Sequence, residues 1–141
     1  MESRTIERAL MPAAPATPEA PDSAILAAFA RWQALHAERK VLPETGNFAD
    51  DDKVYTVEER TLWNAIDVAE TAVHDLPAVT PAGIACKLWI SIPHITDFPE
   101  PEAAAFLADL DWFEAQSDSL NWDLRCIVSA LVALKAMEAC A

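Results

Sequence analysis

Only two glycines, Gly46 and Gly83, occur in 141 residues. A β-sandwich or barrel turns once in roughly 8–12 residues, and its tight turns draw on Gly and Asn for backbone angles that other residues resist. So few glycines cannot supply them. The 52% hydrophobic content leans on alanine, the best helix former. The expected fold is therefore all-α. The length suits one domain, enough to hide roughly two-thirds of the unfolded surface.

The clearest helix runs from Thr56 to Leu76. Thr56 and Glu59 have the capping-box spacing, in which hydroxyl and carboxylate each satisfy a backbone amide at the helix start. Leu62, Ile66, Ala69, Val73 and Leu76 then follow at steps of 4, 3, 4 and 3, which places them on one side of a helix. Pro77 stops it.

Four more helices are expected around this one. Asp22 or Ser23 caps the first, which runs to about Arg39, with Ile25, Phe29, Trp32 and His36 on one stripe and Leu26 and Leu35 at its edges. Arg39 and Lys40 lie in its last turn, where the helix dipole favours cations. A third helix starts at Thr80 with Pro81 as its first residue. Ile84, Leu88 and Ile92 lie on one side of it, and Pro93 ends it. A strand over Lys87–Ile92 is the alternative, and the upstream cap decides for helix. Residues 93–101, with three prolines, read as irregular. A fourth helix is expected from Glu102 to Gln116, burying Phe106, Leu110, Phe113 and Leu107. Ser117, Asp118 and Ser119 break it and form the capping cluster of the next helix. The last helix runs from Leu120 to Glu138 on a stripe of Leu124, Ile127, Leu131 and Leu134, widened by Val128 and Met137. The expected architecture is an irregular bundle of about five helices over residues 22–141. The first two helices pair as a hairpin and the last closes the core. Residues 1–21, interrupted by Pro12, Pro15 and Pro18, read as a disordered Pro/Ala-rich tail with no signal-peptide core.

Three pieces, EERTLWNAIDVAE, PAVTPAGIACKL and the Ala/Leu-rich closing helix, resemble a loose family of small acidic helical proteins from bacterial genomes and mobile elements. The TPAG turn followed by A-x-K-L is the most specific element. The resemblance spans residues 22–141. It implies an all-helical fold and a prophage or plasmid setting, and it implies no activity and no site residues.

Enzymatic chemistry finds no motif here. His36, His74 and His94 have no partner at metal-ligand spacing, and His36, on an apolar stripe, reads as a packed core residue. No glycine-rich phosphate loop and no nucleophile elbow is present. Neither catalytic, cofactor-binding nor metal-ligating residues are assigned. The run Asp50, Asp51, Asp52 lacks the alternating ligands of a calcium loop and reads as a solvated acidic loop. Cys86, Cys126 and Cys140 are an odd number in a chain that needs no stapling, which fits a reducing cytoplasm. No apolar run approaches the ~20 residues of a membrane span.

Charge carries the functional signal. With 23 acidic against 10 basic residues the net charge is −13, which repels phosphate backbones and argues against direct nucleic-acid binding. No Lys or Arg lies between Lys87 and Arg125, while that interval holds Asp97, Glu100, Glu102, Asp109, Asp111, Glu114, Asp118 and Asp123. Uncompensated like charges cost self-repulsion, and a basic partner would relieve it. The expectation is a non-enzymatic protein that binds a basic protein surface. Its sharpest form is an inhibitor of the anti-CRISPR or anti-restriction type that occupies a nucleic-acid-binding surface. The expected contact patch is Asp109, Asp111, Trp112, Glu114 and Asp118, with Asp50, Asp51 and Asp52 as a second. Trp112 and Trp122 fall off the buried sides of their helices and read either as interface anchors or as a second packed side. A self-associating helical adaptor, dimerising through its 4-3 stripes, and a small carboxylate-based enzyme are the competing readings.

Overall fold

The computed structural model describes residues 20–42 and 55–140. These form six α-helices and one 3₁₀ turn, with no strand among the described residues: α1 (Ser23–Val41), α2 (Val57–Asp75), α3 (Pro81–Ile95), α4 (Pro99–Phe106), α5 (Leu110–Ala115), the turn Ser117–Ser119, and α6 (Trp122–Ala139). The all-α expectation holds. Most of the tail and the Asp50–Asp52 loop lie outside the described residues.

α1 packs mainly on α2, and α6 mainly on α3. The α1 stripe is buried as its spacing predicts, through Ile25, Phe29, Trp32, Leu35 and His36. So is that of α2, through Leu62, Ile66, Ala69 and Val73. On α6 the buried set is Leu124, Val128 and Leu131, while Met137 is exposed, so the face is turned toward Val128.

The element at the centre is α3 rather than α2. It touches α1, α2, α4 and α6. Gly83, Cys86, Trp89, Ile90 and Ile92 are buried on it, whereas Ile84, expected inside, is exposed. A helix apolar on several sides has no unique stripe, so its neighbours decide which residues face in. Its end also differs from expectation, because α3 continues through Pro93 to Ile95. Proline φ is already helical, and in the last turn it removes only one ladder bond. Burying Ile92 and Thr96 offsets that loss. Only Thr96–Phe98 is then irregular. Pro99 and Pro101 sit in the first turn of α4, where backbone N–H groups have no intrahelical partner.

The expected fourth helix is two. After Phe106 the chain turns at Ala108, whose φ is 51°. Asp109 N–H donates to Ala104 O at 2.9 Å and Ala108 N–H to Ala105 O at 3.0 Å. This is a Schellman ending, with alanine at the left-handed position that glycine usually takes. Phe106, Leu110 and Phe113 are buried as expected, but Leu107, at the break, is exposed.

Two helix starts are capped by side chains as the residues suggest. Thr56 accepts from Glu59 N–H and Thr80 from Gly83 N–H, both at 3.1 Å. Asn121, rather than the preceding Ser-Asp-Ser, caps α6 by accepting from Leu124 N–H at 2.9 Å. Asp22 behaves otherwise. It occupies the α1 cap position in a left-handed conformation, φ 64°, and makes no cap bond to α1. Its carboxylate instead accepts from Val79 N–H (3.0 Å), Thr80 N–H (2.7 Å) and Thr80 Oγ1 (2.6 Å), fastening α1 to the start of α3. The Thr80 hydroxyl, followed by the backbone amides, holds the Asp22 carboxyl below its ordinary value. Gly83 is required here, since a Cβ would collide with the Asp22 carboxylate.

Candidate functional site

Two regions gather polar chemistry. The first lies along α1–α3. Lys87 Nζ donates to the carbonyls of Val73 (2.8 Å), His74 (2.7 Å) and Leu76 (2.6 Å), so a cation from α3 closes the C-terminus of α2. Arg39 lies 5.0 Å above the Trp63 ring and 5.8 Å from that of Phe106, and Lys40 is 5.4 Å from Phe106. His36 stacks on Phe106 at 3.9 Å and accepts from Arg39 Nε at 3.4 Å. Burial, then the charges of Arg39 and Lys40, press its pKa from 6.5 to about 4. The imidazole is thus a neutral core ring.

Between α2 and α3 a groove of about 350 Å³ is lined by Glu70, His74, Lys87, Ile90, Ser91 and His94. His94 Nε2 meets Glu70 Oε1 at 2.8 Å, a pairing of residues 24 apart that spacing within one helix could not reveal. His74 Nδ1 meets Asp75 Oδ1 at 2.8 Å, although neighbours on a helix diverge by about 100°. Both side chains are exposed and close to the helix end, where they reach each other around the surface. Ser91 Oγ donates to Leu88 O at 2.6 Å. Among the described residues no three His, Cys, Asp or Glu side chains are placed to hold a metal.

The second region is the α4–α6 end, where the acidic interval lies. Asp109 is half-buried and caps α5, accepting from Trp112 N–H at 3.1 Å. Asp111, Glu114 and Asp118 are exposed. They do not share one helical face, because α5 ends at Ala115 and Asp118 sits in the 3₁₀ turn. Glu114 and Asp118 line one groove, which also contains Arg125. Arg125 directs its donors at main-chain carbonyls, Nε to Leu120 O at 3.1 Å and Nη2 to Asp118 O at 2.8 Å. Trp112 is half-buried, packs on the core and meets Phe113 edge-on at 5.0 Å. It opens onto a different groove, of about 330 Å³, between α4, α5 and α6. Trp122 is 75% exposed. Among the described residues no Lys or Arg lies within ion-pairing distance of a carboxylate, and the two pairs found involve histidine.

Comparison with protein-family models, with curated proteins and with solved structures finds no match for the chain. Among the described residues no helix is long and apolar enough to cross a membrane.

Proposed function

We propose that this chain is a protein-binding protein that engages a basic partner surface through its α4–α6 end. One observation carries the reading. Among the described residues no Lys or Arg is ion-paired with a carboxylate of the acidic interval, and Arg39, Lys40, Lys87 and Arg125 are engaged by rings or main-chain carbonyls, so the interval keeps its charge uncompensated. Such a surface repels nucleic acid and attracts a cationic protein from a distance. In its finer form the partner is a nucleic-acid-binding protein whose phosphate-binding surface accepts the carboxylates. Arg125 lines the groove with Glu114 and Asp118 and lowers the weight of both relative to Asp111.

Reversal of Asp111, Glu114 and Asp118 to Lys tests the reading. Capture of a basic partner from lysate is expected to be lost, and wild-type capture is expected to weaken between low and physiological salt. Added DNA competes if the partner surface binds nucleic acid. Capture that persists in the triple variant with the same salt dependence overturns the proposal.

A further inference from the structure

The groove between α4, α5 and α6 has a floor unlike its rim. Its apolar lining is Phe98, Pro101, Trp112, Leu120 and Leu124. Phe98 is 68% exposed, although it is a large ring at the N-cap of α4 and makes no cap bond there. Glu100 lines the groove as well. Asp97, Asp111 and Asp123 are exposed and each directly adjoins a lining residue in sequence: Phe98, Trp112 and Leu124. Arg125 lines the other groove and is tied to Leu120 O and Asp118 O.

An apolar trough with Glu100 in its lining and exposed carboxylates one residue from three more lining positions has a definite complement. From these contacts we infer that the groove takes the apolar side chains of a basic amphipathic helix, whose Lys and Arg meet the acidic rim. The inference rests on the proposed function and names the partner's chemistry. The apolar face of such a helix lies in a groove through side chains one turn apart. A volume of about 330 Å³ admits one or two large side chains. Trp112 is an anchor type that dominates such contacts, and Phe98 is of a type enriched at interfaces. Charge decides against a second copy of this chain, because a two-fold interface would set the same carboxylates against each other.

The test titrates two probes into the full chain by calorimetry: a helical peptide of Leu and Lys in amphipathic order, and oligolysine of equal charge. The Leu–Lys peptide is expected to bind at least about tenfold more tightly. Phe98→Ser, which places a favoured cap residue at an exposed position, is expected to remove that advantage and leave oligolysine unchanged. Glu100→Lys with Asp111→Lys is expected to weaken both probes. Equal affinity for the two peptides, or indifference to Phe98→Ser, overturns the groove while the acidic reading stands. No binding of oligolysine at low salt counts against the acidic reading itself. Leu–Lys binding that survives charge reversal overturns the basic occupant, and so does a dimer seen by light scattering that Phe98→Ser dissolves.

Discussion

The α1–α3 side and the α4–α6 end treat charge in opposite ways. On the first side four charged groups have an internal task. Lys87 closes α2, Asp22 fastens α1 to α3, and Arg39 and Lys40 lie on aromatic rings. At the other end Arg125 serves backbone carbonyls, while exposed carboxylates and the rings of Phe98 and Trp122 face outward. Charges that stabilise a fold are those with fixed partners at short range. Charges without partners stabilise nothing and remain available for an encounter. The contrast separates a structural half from a presenting half, even though both belong to one core.

Four measurements break or sharpen that contrast. The largest effect is expected for Lys87→Met, which strips three carbonyls of their donor while keeping the aliphatic stem. Chemical denaturation should show a loss of about 3 kcal/mol, and a loss below the error of the method would remove Lys87 from the structural half. Next is the pH response of His36. Its pKa is 6.5 unfolded and about 4 in the fold, so in that window the unfolded chain binds more protons and stability falls as pH drops. The expected loss between pH 7 and pH 4 is about 2–3 kcal/mol. His36→Phe, which keeps the stack on Phe106, should flatten this part of the profile, and an unchanged profile would assign it to other groups.

Gly83→Ala should cost about 1–2 kcal/mol by displacing the Asp22 carboxylate. In an Asp22→Gly background, which suits the left-handed backbone at that position, the same change should become neutral or stabilising by up to about 1 kcal/mol. Simple additivity of the two would mean that no latch exists. The smallest effect has the opposite sign. Glu114→Gln, which takes one like charge from the exposed carboxylates of the interval and from the last turn of α5, should raise stability by a few tenths of a kcal/mol, about what relief of exposed like-charge repulsion provides. A clear destabilisation would show that this carboxylate belongs to the fold after all.

Much of the fold was legible because its signals are local. The stripes of α1 and α2 appear at their predicted positions, since a 3.6-residue period and a flanking cap involve only neighbours in sequence. The cap at Thr80–Gly83 was equally readable. The break between α4 and α5 was not, because Ala108 fills a left-handed position that glycine would have marked. The buried side of α3 was also hidden, since Ile84 and Cys86 are both apolar and only the packing of α1, α2, α4 and α6 chooses between them. Of the expected contact residues, the charge bias was visible, but their division between two grooves was not.

By itself the sequence determined that the chain is helical, where most helices begin, and that residues 88–124 carry acid without Lys or Arg. Glycine scarcity, capping residues and charge are properties of composition and short-range order. Only the tertiary structure decided that Asp22 serves α3, that Lys87 serves α2, and that Phe98, Trp112 and Leu124 share one trough. Those contacts join positions from 11 to 58 residues apart along the chain, or residues on separate helices. No periodicity relates such positions, so they come together only when the helices pack.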